Sequence, residues 1–287
     1  MELVLDHIGV GVRDLDRGRE TYARLGFTLT PRSVHRGSLT PGGPIVAWGS
    51  ANHCAMFGEG YFEILGPSEP EATGTIQDMV GRYEGAHIVA IGCEDSQKVY
   101  EEFSALGLPV EPPNVLERDA PYGPSGDDTR PASFRNAPFD SKVFGEARLF
   151  YIQHVTPDVL WQPHLLAQPN GVVALREIYF CAPGAEAVAA KFAPMLRSTP
   201  EKQGEGDWRL PLARGVVRIL EPDAWGRLAP DQATPPPPAP VGVGFRVSSL
   251  DQARALLEAN GVTLHDGECP WVGAADACGT VLFFTEE

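Results

Sequence analysis

The chain repeats one local unit, and a repeat restricts the available folds more than any composition figure does. Leu5-Asp6-His7-Ile8-Gly9-Val10-Gly11-Val12 is an apolar run that passes through Asp14-Leu15-Asp16 into an amphipathic stretch ending Leu25-Gly26-Phe27. Gly85-Ala86-His87-Ile88-Val89-Ala90-Ile91-Gly92 does the same through Glu94-Asp95, with Val99, Phe103 and Leu106 at helical spacing before Gly107-Leu108. The pattern reads as strand, acidic cap, helix and glycine stop. At an offset of 80 residues, His7 and His87 occupy the same place in it. Two weaker copies follow. Val172 to Cys181 precedes Val188, Phe192 and Leu196, and Val241 to Val247 precedes Ser249-Leu250-Asp251 and a helix stopping at Asn260-Gly261.

Tracts with strand character follow each helix: Ile45 to Trp48 and Tyr61 to Leu65, Arg148 to Val155, Trp208 to Leu220, and Thr280 to Thr285. Each repeat is then a βαβββ module. One module cannot cover its own sheet, so the sequence predicts an α+β fold of four modules paired into two domains. The expected boundaries are 1–157 for the first domain, with modules at 4–67 and 83–157. A connector at 158–170 then leads to a degenerate second domain at 171–287, with modules at 171–222 and 239–287. Arg118 to Ser141, rich in Pro, Gly and Asp, reads as a long loop.

At 287 residues and 43% hydrophobic, the chain needs no disulfide staples. Its formal charge of -15 repels phosphate backbones and argues against nucleic acid or an anionic membrane as partner. Five widely spaced cysteines without a CxxC pair suggest reduced thiols. No leader-like segment and no spanning apolar run stand out, so a cytoplasmic location is expected.

Glu63 is a carboxylate inside the otherwise apolar Tyr61-Phe62-Glu63-Ile64-Leu65, and a buried charge needs a partner or a cation. Aligning Pro67 with Pro157 places Gln153 at the corresponding position of the second module. His7, Glu63, His87 and Gln153 then form a two-nitrogen, two-oxygen set suited to Zn, Ni, Fe, Co or Mn. His35, His53, His164 and His265 have no such pairing and read as surface or structural. Arg130 and Arg135, with Arg118 preceding them, could fork a substrate carboxylate, and Tyr151 with Trp161 could wall a pocket. In the second half Glu177 and Gly242 stand where the histidines would, with Arg218 opposite Glu63, so no metal set is expected there.

The duplicated unit resembles the vicinal oxygen chelate superfamily and, within it, the glyoxalase-like branch. Asp6-His7-Ile8, Leu25-Gly26-Phe27, Phe62-Glu63-Ile64 and Gln153-His154-Val155-Thr156-Pro157 carry the resemblance. It implies cup-shaped mixed sheets around a divalent metal, with His7, His87 and Glu63 as ligands and a small-molecule substrate. Gln153 departs from the glutamate usual at its place, which leaves Glu63 as the expected catalytic base. The implied activity is that of a divalent-metal-dependent lyase or isomerase acting on a small oxygen-chelating compound. Two alternatives stay open: an extradiol-type ring-cleaving dioxygenase, and a metal-free small-molecule binding or resistance protein. The second domain would close the cup or mediate association as a homodimer.

Overall fold

The computed structural model of the chain describes residues 2–38, 43–69, 71 and 74–286. The first repeat folds as β1 (Val4–Gly11), α1 (Leu15–Arg24), β2 (Ser33–Ser38), β3 (Ile45–Met56) and β4 (Tyr61–Pro67). A short helix, α2 (Thr75–Arg82), leads to the second: β5 (Gly85–Gly92), α3 (Ser96–Ala105), β6 (Asn114–Tyr122), β7 (Asp128–Pro138) and β8 (Arg148–His154). The expected loop at Arg118 to Ser141 is thus mostly the β6–β7 hairpin; its turn residues lie between two strands rather than replacing them. After α4 (Pro157–Leu160) comes the third repeat, β9 (Val172–Cys181), α5 (Ala185–Leu196), β10 (Glu201–Gly204), β11 (Asp207–Pro211) and β12 (Val216–Leu220). A further helix, α6 (Pro222–Leu228), precedes β13 (Ala239–Val247), α7 (Leu250–Ala259), β14 (Trp271–Val272) and β15 (Val281–Thr285). This last module has two strands after its helix among the described residues, not three.

Local chemistry sets the helix ends. Asp14 accepts a hydrogen bond from the Arg17 amide, Asp95 from those of Gln97 and Lys98, and Ser249 from that of Gln252, so each helix begins where its cap stands. Gly26 and Gly107 end α1 and α3 at φ of +82° and +72°, a left-handed conformation that only glycine adopts without penalty.

The first two modules form a closed eight-stranded barrel in the order β1-β4-β3-β2-β6-β7-β8-β5. Within each module the first and last strands pair in parallel, and β1 meets β5 antiparallel to join the modules. The last two build a seven-stranded sheet, β10-β11-β12-β9-β13-β15-β14, joined the same way through β9 and β13. Strand alternation divides the side chains between two cores. Outward residues such as Leu5, Val10, Val89, Ile91 and Tyr151 share one apolar core with Leu175, Ile178 and Phe245 of the second domain. Inward residues, among them Cys54, Tyr61, Ile88, Phe134 and Phe150, line the barrel. Buried tyrosines satisfy their polar tips across the domain seam: Tyr22 donates to the Ala277 carbonyl at 2.9 Å and Tyr151 to that of Met195 at 2.6 Å. Among the described residues no helix is long and apolar enough to cross a membrane.

Candidate functional site

Two bulges decide which side chains enter the barrel. The β1–β5 ladder passes from Leu5–Ile91 to His7–Ala90, skipping Asp6, and from Gly9–Ile88 to Val10–Ala86, skipping His87. An extra residue at matched places in duplicated strands makes Asp6 and His87 the equivalents, so the repeat offset is 81 and His7 corresponds to Ile88. The closing strands agree: Tyr61 pairs with His7 as Arg148 pairs with Ile88, so Glu63 corresponds to Phe150 and Gln153 to Gly66. A slip of one residue exchanges the two faces of a strand.

His87 and Gln153 therefore stand apart from the expected shell. The bulge aims the His87 ring against α2, where it stacks on Tyr83 at 3.9 Å with Nε2 3.0 Å from the Tyr83 carbonyl. Burial, against the opposing pull of that hydrogen bond, pushes its pKa down to about 4, so it sits neutral. Gln153 points under α3, its Oε1 3.3 Å from the Ser96 amide and 3.4 Å from the Ser96 hydroxyl. Substituting His87 by Ala is expected to lower stability by about 1–3 kcal/mol through the lost stack and the cavity left behind. Turnover per folded molecule should be unchanged; a denaturant titration beside an activity assay checks both.

Inside the barrel two neighbouring rows of paired residues form one wall. The first runs Cys54–Glu63–Gly9–Ile88–Arg148 across β3, β4, β1, β5 and β8, and the second Met56–Tyr61–His7–Ala90–Phe150. They border a cavity of about 680 Å³ whose lining includes His7, His35, Tyr61, Glu63, Arg118, Phe134, Arg148 and Phe150. Gly9 leaves the middle of the wall open. A Cβ there would stand 2.9 Å from Ile88 Cβ and 3.2 Å from Glu63 Oε2, and the former, fixed to its own strand, cannot swing aside. Gly9→Ala is expected to cost about 1–3 kcal/mol, read as a fall in the thermal midpoint, with the strand shift also displacing Glu63.

Two polar assemblies stand at this wall. His7, 3% exposed, stacks on Tyr61 at 4.3 Å and is tilted against Phe150 at 5.8 Å. Its Nδ1 lies 2.8 Å from Asp6 Oδ1, and His154 Nε2 lies 3.0 and 3.1 Å from the two Asp6 oxygens. Burial opposes ionisation of Asp6, yet the charge and hydrogen bond of His154, followed by those of His7, hold its carboxyl well below the usual range. An ionised carboxylate can only accept, so Nδ1 of His7 carries the proton. The second assembly surrounds Glu63, whose Oε1 accepts from Asn52 Nδ2 and lies 3.3 Å from His35 Nε2, while His35 Nδ1 meets the Ser50 hydroxyl at 2.9 Å. Burial raises the Glu63 pKa, but the His35 hydrogen bond and charge, the charge of His7 and the Asn52 bond bring it to about 2. Cys54 in the same row has its thiol pushed up to about 12 by burial, which makes it a poor nucleophile.

The expected substrate contacts also move. Arg130 is exposed, paired with Asp128 at 3.1 Å and stacked over Tyr122, and Arg135 is exposed on the outward face of β7. Tyr151 faces the outer core. Trp161 sits behind the cavity wall, edge-on to His154 at 4.8 Å and donating to the Phe57 carbonyl at 3.1 Å. The cavity instead receives Arg118 and Arg148, the inward members of β6 and β8. His35 joins it from β2, a strand that Ser-Val-His-Arg-Gly-Ser barely signals. Alternation counted from Glu63 through the true register would have found Arg148 and placed His154 on the inward face.

The residues do not fit the expected metal shell. Of the four anticipated ligands only His7 and Glu63 share the cup, and Glu63 Oε1 is already engaged by His35 and Asn52. Among the described residues no three His, Cys, Asp or Glu side chains gather as a metal-binding group. In the second domain, Glu177 holds the place of His7 and Arg218 that of Glu63. There Arg209 lies 3.3 Å from Glu177 and Arg218 2.6 Å from Asp207, so the charges neutralise one another.

Known proteins place this architecture. A hypothetical protein from Staphylococcus aureus superposes with a TM-score of 0.67 at 12% identity, covering 99% of each chain. A triple mutant of 4-hydroxymandelate synthase from Streptomyces coelicolor gives 0.60 at 13%, over 99% of this chain and 91% of that one. The Mn(II)-bound glyoxalase from Novosphingobium aromaticivorans gives 0.58 at 14%, over 99% and 82%. At such identities the likeness is one of fold. A search of curated proteins finds no match. The profile of the glyoxalase-like domain family matches residues 5–196, two thirds of the sequence, and takes in the whole barrel and the shared-core strand and helix that follow it. With that match and the paired βαβββ modules, the chain belongs to the glyoxalase-like domain family of the vicinal oxygen chelate superfamily.

Proposed function

We propose that the first-domain cup is the active site of a lyase or isomerase that moves a proton on the carbon beside a carbonyl of a small organic substrate. The observation that carries this reading is the Asp6–His7 pair: Asp6 fixes the Nδ1–H tautomer, which leaves the Nε2 lone pair as the basic atom of a ring lining the cavity. An imidazole nitrogen can accept a proton and return it, as moving a proton along a substrate requires. Glu63, held ionised with a pKa of about 2, is too weak a base for that role. Its negative charge and that of Asp6 instead favour the imidazolium formed when His7 takes the proton.

A metal-dependent form of the reaction would need ligands beyond His7 and Glu63. The two forms are separated by purifying the protein without chelators, measuring its metal content and assaying a panel of α-hydroxycarbonyl compounds, for the wild type and for Glu63→Gln. The proposal expects turnover without stoichiometric metal and a lower rate in the variant. Turnover that rises and falls with bound metal would support the metal-dependent form. Binding of panel members without any turnover would support the sequestering protein.

A further inference from the structure

We infer that the cup recognises a small organic carboxylate with a planar apolar body, held by Arg118 and Arg148. The inference rests on the reading of the cup as a small-molecule site and names the substrate class. Arg118 is 5% exposed, yet among the described residues it has no carboxylate partner. Its Nη2 meets Cys54 Sγ at 3.9 Å, and its guanidinium lies 6.0 Å from the Phe134 ring centre. One weak thiol contact leaves most of a five-donor fork unused, and a buried cation without a counter-charge is unfavourable. Those donors border the cavity. Arg148 also lines it, and among the described residues its side chain has neither an ion pair nor a hydrogen bond, although the charges of Glu63 and Glu111 act on it from further off.

The two guanidinium groups stand at opposite ends of the row that contains Glu63, Arg118 against Cys54 and Arg148 as its last member. Glu63 is already engaged by His35 and Asn52, and no carboxylate pairs directly with either guanidinium among the described residues, so both keep donors for a bound anion inside a chain of net charge -15. A general basic surface does not explain this; a placed anion site does. Tyr61, Phe134 and Phe150 supply flat apolar surface beside it, which suits an aryl or other planar body.

The test is calorimetric titration of the intact protein with benzoate and phenylacetate, with their neutral amides, and with inorganic phosphate. The carboxylates should bind at least tenfold more tightly than the amides and more tightly than phosphate. Arg148→Met, a change at a residue open to the cavity, should remove that preference, and Arg118→Met should weaken it if the variant folds. Equal binding of acid and amide, or undiminished benzoate binding by Arg148→Met, would overturn the inference, and stronger binding of phosphate would reassign the site to phosphoryl compounds. Carboxylate binding retained in a protein that turns over nothing would leave the recognition standing and remove the proposed reaction.

Discussion

Replacing His7 by Ala is expected to lower turnover by about 10²–10⁴-fold, the usual contribution of a positioned general base. Among the described residues, His7 is the cavity-lining imidazole with Nδ1 fixed by a carboxylate and Nε2 without a protein partner. Glu63 is held ionised too far below neutrality, and the Cys54 thiol too far above it. His35 already faces Glu63 and Ser50 with its two nitrogens. The variant keeps the Asp6–His154 pair, so its denaturation midpoint should move much less than its rate. A control at His53, whose Nδ1 lies 2.7 Å from the Thr30 carbonyl outside the cavity lining, should leave the rate unchanged.

The second large effect concerns stability. Asp6→Ala removes the acceptor shared by two buried imidazoles and is expected to destabilise the fold by about 3–5 kcal/mol, the range for stripping one partner from a buried charge network. The pH dependence has a definite sign. The Asp6 carboxyl titrates lower in the folded chain than in the unfolded one, so its contribution is fully present above the unfolded value of about 3.9. It is lost as pH falls below that value towards the folded one. Glu63, with a folded pKa of about 2, adds a loss of the same sign between its ordinary value of 4.5 and 2. The wild type should therefore lose stability steeply below about pH 4, and Asp6→Asn should show a flatter decline in denaturant midpoint over the same range.

The architecture was legible because its signals are local. Asp14, Asp95 and Ser249 cap helices where the sequence places them, and Gly26 and Gly107 stop them. Pairing of modules followed from repetition alone, and His7 and Glu63 do share the cup. What the sequence hid is the β-bulge. A bulge adds one residue to one strand and leaves no compositional mark, so an offset of 80 aligned His7 with His87 where the ladder aligns it with Ile88. The Pro67–Pro157 alignment failed for a related reason: Pro67 ends β4, whereas Pro157 opens α4. That offset of 90 where the strands correspond at 87, an odd slip of three residues, exchanged the faces of β8, put Gln153 and Tyr151 inward, aimed His154 at the opposite face and left Arg148 and Phe150 unread. His35 was hidden differently, since its partners in space come from other strands and no spacing announces it, whereas Arg118 was read beside Arg130 and Arg135 and alone of the three lines the cavity.

The measurement that tests the account most directly is hydrogen exchange at substrate carbon in D₂O, followed by proton NMR on the α-hydroxycarbonyl panel. The wild type should wash out the hydrogen beside the carbonyl of an accepted compound, a chelator should leave the washout intact, and His7→Ala should abolish it while His87→Ala does not. Washout that survives the loss of His7, or that vanishes when metal is removed, would contradict the account.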